Sequence, residues 1–252
     1  MRDSRRDLWA VVLAGGAGDS PAPLRHTLDR VTRLIPPSQT LVVTHAAHVA
    51  GEVAGYPAIT VLAQPCDRGT AAGVLLAAHW IRARAPGAVA AVFPTNHLVL
   101  AESVPMSHVA AAGEYVRDHP EWLLLLGVHP TEPGFDGAWI EPGEPVGWTG
   151  RGAVHRIRAL HEKPPADLAR RLHGRALCNT FAFTATVTAL VEAGSRACRC
   201  FTTGSRASTC SRARGTRLWR SSRPTSSRPP RTSPARSSRR PRSRWPSWRF
   251  RR

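Results

Sequence analysis

Short apolar runs alternate with longer amphipathic ones from residue 8 to about residue 190. "LWAVVLAGG" (8–16) reads as a buried strand that runs into a glycine-rich loop. "LRHTLDRVTRLI" (24–35) sets Leu24, Leu28, Val31 and Leu34/Ile35 on one helical face before Pro36-Pro37 stops it. "TLVVTH" and "AITVLAQP" predict two strands, and "TAAGVLLAAHWIRARAPG" a helix capped by Thr70 and ended at Pro86-Gly87. "AVAAVFPTNH" is a strand leaving a sheet toward a polar turn, "SHVAAAGEYVRDHP" a helix and "WLLLLGVHP" the next strand. This order predicts a Rossmann-like α/β fold with a mostly parallel, right-handed wound sheet. Ligands then sit at the carboxyl ends of its strands.

The texture changes after Gly194. Residues 195–252 contain 18 Arg and no Lys, Asp or Glu. Of the 35 basic residues in the chain, 17 therefore remain in residues 1–194, where they meet all 17 acidic ones. The formal charge of +18 thus belongs to the tail, and residues 1–194 read as a neutral globular domain. The tail has frequent proline and no apolar period, which predicts disorder. Two readings stay open for it: an Arg/Ser-rich arm for RNA or another polyanion, or a GC-rich gene read out of frame. Cys66 and Cys178 lie in the body, and Cys198, Cys200 and Cys210 in the tail. Scattered cysteines suggest a reducing compartment, and the charged start "MRDSRRDLWA" is unlike a signal peptide. No apolar run approaches the ~20 residues that span a bilayer. The expectation is a soluble, cytoplasmic protein without a membrane partner.

Several segments carry candidate chemistry. Gly15, Gly16 and Gly18 follow the first strand, where glycine lets backbone N–H groups approach phosphate closely. "QPCDRGTA" supplies Gln64, Arg68, Gly69, Thr70 and Ala71 at the next strand-to-helix junction. Lys163 is the only lysine in the chain. Its survival in an arginine-biased sequence suggests a need for a compact ammonium. "LWAVVLAGGAG", "QPCDRGTAAGVLLAAHWI", "VFPTNHLV", "LLLLGVHPTEP", "GAWIEPG", "HEKP" and "LCNTFAF" together resemble, in order, the mannose-1-phosphate guanylyltransferases among the sugar-phosphate nucleotidyltransferases. The resemblance covers residues 8–194.

What the resemblance implies is a reaction of GTP with mannose 1-phosphate that gives GDP-mannose and pyrophosphate, with Mg²⁺ as the metal. It assigns the glycine loop and the Gln64–Ala71 residues to the nucleotide. Glu162 and Lys163 fall to the sugar hydroxyls and the sugar phosphate, and Asn179 and Thr180 to the sugar. Trp139 lines the sugar pocket or fills the core. Four departures point to a degenerate copy. Ser20 stands where a loop arginine is usual, and a triphosphate-gripping Pro-Lys pair is missing between Pro21 and Leu24. Asn96 occupies the position of a metal-binding Asp, and a second metal carboxylate belongs where the acid-free tail stands, so the fold is expected to be truncated there. The alternatives are a non-catalytic sugar-nucleotide-binding protein and a polyanion binder acting through the tail. For the tail, we expect resequencing across codon 195 to reveal a frame change. A continuous verified frame, with RNA affinity that falls steeply with salt, establishes the arm instead.

Overall fold

The strands that the apolar runs predict do form, and they pair edge to edge in one sheet. In the computed structural model the described residues are 7–14, 21–44, 53–64, 68–95, 106–130 and 137–197. Eight strands run through them: β1 Leu8–Leu13, β2 Thr40–Thr44, β3 Thr60–Ala63, β4 Val89–Pro94, β5 Leu123–Val128, β6 Ala138–Trp148, β7 Ala153–Glu162 and β8 Leu177–Thr186. The α-helices are α1 Pro21–Val31, α2 Thr70–Arg82, α3 Met106–Asp118, α4 Ala166–Leu172 and α5 Val187–Ala197. The chain divides into two units, Met1–Ala197 and Cys198–Arg252, and every described residue belongs to the first.

The sheet order is β3-β2-β1-β4-β8-β6-β7, with β5 paired to β8 off that path. The pairs β1–β2, β2–β3 and β1–β4 are parallel. All pairings of β8, and the β6–β7 pair, are antiparallel. The expected mostly parallel sheet is therefore parallel on one side only. The reason lies in the connections. Parallel neighbours need a crossover of a dozen or more residues, whereas β6 and β7 are joined by Thr149–Gly152, closed by Thr149 N–H on the Gly152 carbonyl at 3.0 Å. Pro142 and Pro145 in β6 lack the N–H that a ladder needs, and the register shifts at both.

Helices cover both faces of the parallel half. Val11, Leu41, Val43 and Val92 pack with Val74, Ala78 and Ile81 of α2 and Leu190 and Val191 of α5. On the other face Ala10, Val89, Ala91 and Phe93 pack with Val109 and Val116 of α3 and with Val31 and Ile35. Leu24 and Leu28 of α1 seal Val12 and Val42. The alternation of Ala10, Val11 and Val12 between clusters is the period-2 signature of a strand buried on both sides. The first helix differs from expectation at both ends. α1 starts at Pro21, because proline is tolerated in a first turn, and ends at Val31. Ile35 is still buried, through a turn in which its N–H reaches the Val31 carbonyl at 2.9 Å.

Gly127 marks the tightest strand contact that bears on the site. A Cβ there would lie 2.8 Å from Leu177 Cβ and 3.4 Å from the Cys178 carbonyl oxygen, so β5 can lie against β8 only without a side chain. Gly127→Ala is expected to destabilise by about 1–3 kcal/mol, the usual range for overpacking. In a thermal melt this is roughly 2–4 °C for each kcal/mol; an unchanged melt refutes the close packing of β5 on β8.

Candidate functional site

The strand order reverses between β1 and β4. The chain steps outward from β1 through β2 to β3 and then returns to the far side of β1. Such switch points leave a crevice outside the carboxyl ends of the strands. Here the two central ends are tied together by the Thr95 hydroxyl, which donates to the Leu13 carbonyl at 3.0 Å. The Ala14 N–H joins β1 to β2 through the Val43 carbonyl at 2.8 Å. In the sequence, Gly15, Gly16 and Gly18 follow one of these ends and Asn96 the other. All four lie outside the described residues.

On one flank of the crevice, Gln64 continues β3, with its N–H on the Thr44 carbonyl at 2.6 Å. Its carboxamide rests on α2: Gln64 Oε1 is 3.5 Å from where a Cβ of Gly73 would stand. Arg68, Gly69, Thr70 and Ala71 are all exposed. The expected Thr70 cap is corrected by the backbone. The N-cap is Gly69, at φ 79°, and it makes no side-chain cap bond. The left-handed turn draws Thr70 into the helix as its first residue, where its hydroxyl is on the wrong side of the boundary to cap. Helix N–H groups of a first turn have no partner within the helix, and they carry partial positive charge. The Gln64–Ala71 stretch thus places an exposed helix start beside the carboxyl end of β3.

The other flank is built by β6, β7 and β8. Trp139 pairs with His161 on one side and Cys178 on the other. One step along, Ala138 pairs with Glu162, and the same register sets Asn179 beside Ala138. Glu162 and Asn179 therefore share a row, on the sheet face opposite to Trp139. Lys163 follows at once, at φ 41°, with its N–H on the Gly137 carbonyl at 3.2 Å. The glutamate and the lysine are both exposed.

Two expected sugar contacts are drawn inward instead. Trp139 is 0% exposed and packs with Ala169, Leu172 and Ala176 beneath α4, so it is a core residue here and presents no surface to a ligand. Thr180 is also 0% exposed. Its hydroxyl donates to the Leu126 carbonyl and accepts from the Ala182 N–H, which fastens β8 to β5. Asn179 uses its Oδ1 to accept the Phe181 N–H at 2.9 Å, leaving its amide nitrogen as the donor it can present.

Phe181 escaped the sequence reading. It lies in the left-handed region at φ 57° and is 40% exposed. For a residue with a Cβ that conformation costs roughly 1–2 kcal/mol. In "LCNTFAF" it looks like any aromatic of an alternating strand, and nothing local signals its backbone. The irregularity shows only in the pairing: from Leu125 to Gly127 β5 advances two residues while β8 passes from Phe183 to Asn179.

The two carboxylates of this flank titrate in opposite directions. Partial desolvation by its neighbours pushes the Glu162 carboxyl up although its side chain stays largely exposed, and the Lys163 ammonium partly offsets it. Glu141 is held below the usual glutamate range, first by its hydrogen bond with His161 Nε2 at 3.2 Å and also by Arg158 at 3.1 Å. The magnesium implied by the resemblance finds few suitable donors. Among the described residues no three His, Cys, Asp or Glu side chains gather into a possible metal site. The Thr95 hydroxyl is bonded to Leu13, and Asn96 brings a neutral amide, a poor donor for a hard cation. Among the described residues, then, no donor set fits the metal. No helix among the described residues is long and apolar enough to cross a membrane.

No protein-family model matches the chain, and no curated protein does. Its fold is similar to that of mannose-1-phosphate geranyltransferase from Thermus thermophilus, with a TM-score of 0.60 and 20% identity over 79% of this chain and 65% of that one. It is also similar to a mutant UDP-glucose pyrophosphorylase from Leishmania major, with a TM-score of 0.52 and 13% identity over 77% and 52% of the two chains. CMP:2-keto-3-deoxy-manno-octonic acid synthetase complexed with CTP gives a TM-score of 0.50 and 12% identity over 75% and 78%. The likeness is one of fold, a mixed α/β domain around a central sheet. The chain spans less than two thirds of the first two of these structures.

The Glu162 shift has a definite sign. A raised carboxyl holds its proton more tightly in the folded state. Its stabilising contribution is complete below the ordinary glutamate pKa and is lost as pH rises through the raised one. The lowered Glu141 behaves in reverse, stabilising above the ordinary value and losing that contribution as pH falls through its own. Lys163→Met removes the ammonium that offsets this desolvation, so the Glu162 carboxyl, followed by carbon NMR, should titrate at still higher pH. A midpoint that stays put or falls shows that Lys163 does not act on Glu162.

Proposed function

We propose that this chain is a sugar-1-phosphate nucleotidyltransferase of the mannose-1-phosphate guanylyltransferase kind, which binds GTP or GDP-mannose and the sugar 1-phosphate but turns over weakly. The observation that carries the reading is the two-sided crevice. An exposed helix start lies on the β3 flank, and a Glu-Lys-Asn group lies on the β7–β8 flank. Four interstrand steps separate β3 from β8. At ~4.8 Å each this is roughly 19 Å, on the scale of a ligand with a base at one end and a sugar at the other.

In the proposed reaction a sugar phosphate oxygen attacks the α-phosphorus of the nucleoside triphosphate. One P–O bond forms there, the bond to the β-phosphate bridge breaks, and pyrophosphate leaves with the electron pair. Such transfers depend on positioning and on neutralising charge more than on covalent chemistry by the protein. Lys163 supplies the ammonium for the sugar phosphate. Glu162, once ionised, accepts from sugar hydroxyls, and the Asn179 amide donates to one. Gln64 and the first turn of α2 face the nucleotide. Weak turnover follows from what the triphosphate end lacks: Ser20 and Asn96 offer no charge to it, and Asp19 repels it. No step is routed through magnesium, because the described residues offer no donor set that fits it.

The non-catalytic reading draws on the same Asn96. Calorimetry with GDP-mannose and a pyrophosphate-release assay separate the two. Saturable binding, with slow release that Lys163→Met abolishes, is the expected result. Binding with no release above that of the variant establishes the binding protein instead. An absence of GDP-mannose binding overturns both, and fast magnesium-dependent release overturns the weak turnover.

A further inference from the structure

We infer that Phe181 is the stacking platform for the sugar ring and sets which sugar the site accepts. The assignment rests on the sugar-nucleotide reading of the crevice and names a residue that this reading leaves without a part.

Three observations meet at this position. The β4–β8 register runs from Val89 opposite Thr186 to Val92 opposite Phe183. Along β8, Phe181 lies between Phe183, opposite Val92 near the end of β4, and Cys178, opposite Trp139 at the start of β6. On the other side its neighbour in sequence but one is Asn179, in a row with Glu162. Phe181 therefore sits in β8 between the end of β4 and the group proposed to hold the sugar. Second, it is among the large apolar side chains left exposed, at 40%, although both neighbours in the strand, Thr180 and Ala182, are buried. Third, its left-handed backbone is not a free choice. Asn179 Oδ1 takes the Phe181 N–H at 2.9 Å, and the Thr180 hydroxyl takes the Ala182 N–H at 3.2 Å while donating to Leu126.

A strained conformation persists only where its surroundings over-determine it, and such residues cluster at ligand sites. A regular strand would hold residue 181 in the extended region. The local bonds instead hold it in a left-handed backbone with its side chain 40% exposed. The face of an aromatic ring is electron-rich. The apolar face of a pyranose presents a patch of C–H bonds that such a surface attracts, while the hydroxyls at the ring's rim reach Glu162 and Asn179. Sugars that offer the ring no continuous patch of C–H bonds stack less well, which is how the ring discriminates.

Calorimetry of the full-length protein with GDP-mannose and with GDP tests the assignment on Phe181→Leu, Phe181→Gly and Phe181→Tyr, each first shown to melt cooperatively. Phe181→Leu keeps apolar bulk and loses the π face; Phe181→Gly removes the Cβ from the left-handed backbone and so relieves strain. Both are expected to bind GDP-mannose about 10-fold more weakly, the scale of one aromatic contact. GDP affinity should stay within a factor of two, and Phe181→Tyr should restore GDP-mannose binding. Equal losses for both ligands, or no loss at all, overturn the stacking role while the sugar-nucleotide reading stands. Tighter GDP-mannose binding by Phe181→Gly overturns it too, and makes the ring an obstruction. A wild-type protein that binds GDP but not GDP-mannose, or neither, overturns the assignment together with the reading under it.

Discussion

Strand β8 is the constraint on which the site depends. It pairs with β4 along Phe183–Thr186, with β6 at Leu177 and Cys178, and with β5 over most of its length. Among the described residues no other strand joins the parallel half of the sheet to the antiparallel ribbon. A strand with straight register would align those partners without a break. Instead β8 carries an irregularity between Asn179 and Phe183, and two polar side chains satisfy the backbone groups that it displaces. Burying Asn179 and Thr180 is tolerable because both are bonded; an orphaned polar group there would destabilise by about 1–3 kcal/mol.

That arrangement divides labour between the two halves. The parallel half is conventional in its physics: apolar strands buried on both faces, helices on each side, and a helix start at the carboxyl end of β3. It offers backbone dipoles rather than charge. The antiparallel half brings the charged side chains, Glu162 and Lys163, held at the end of a two-stranded ribbon with Trp139 as its anchor in the core. Burial of Trp139 under α4 fixes the end of β6, and through the Ala138–Glu162 pair it fixes where the carboxylate stands. Of the two places the sequence allowed Trp139, a pocket wall or the core, the fold gives it the core.

Much of the parallel half was legible in the sequence. β1, β2 and β4 are short apolar runs, and α2 and α3 have the length and spacing of amphipathic helices. The burial of these strands follows from composition, since such runs have no other stable place. β5, on the antiparallel side, is an apolar run too but is only half-buried. The Glu162-Lys163 pair stands out in the sequence because the lysine is solitary in an arginine-rich chain, and the fold leaves both residues exposed. β6 was harder to read, since two prolines interrupt its pattern, and the antiparallel sense of β8 had no local sign. Thr70 was misread as a cap because its hydroxyl suits that role, whereas the Gly69 backbone decided where the helix begins.

The sequence by itself determined which segments are apolar enough to be strands and which residues can carry charge, because those are properties of side chains and their spacing. Only the tertiary structure decided that β8 runs against β4, that Trp139 and Thr180 turn inward, and that Phe181 takes a left-handed backbone. Strand direction and register are settled by pairings between residues far apart in the chain, such as Thr180 with Leu126 and Trp139 with Cys178. No local pattern encodes a partner so far along the chain.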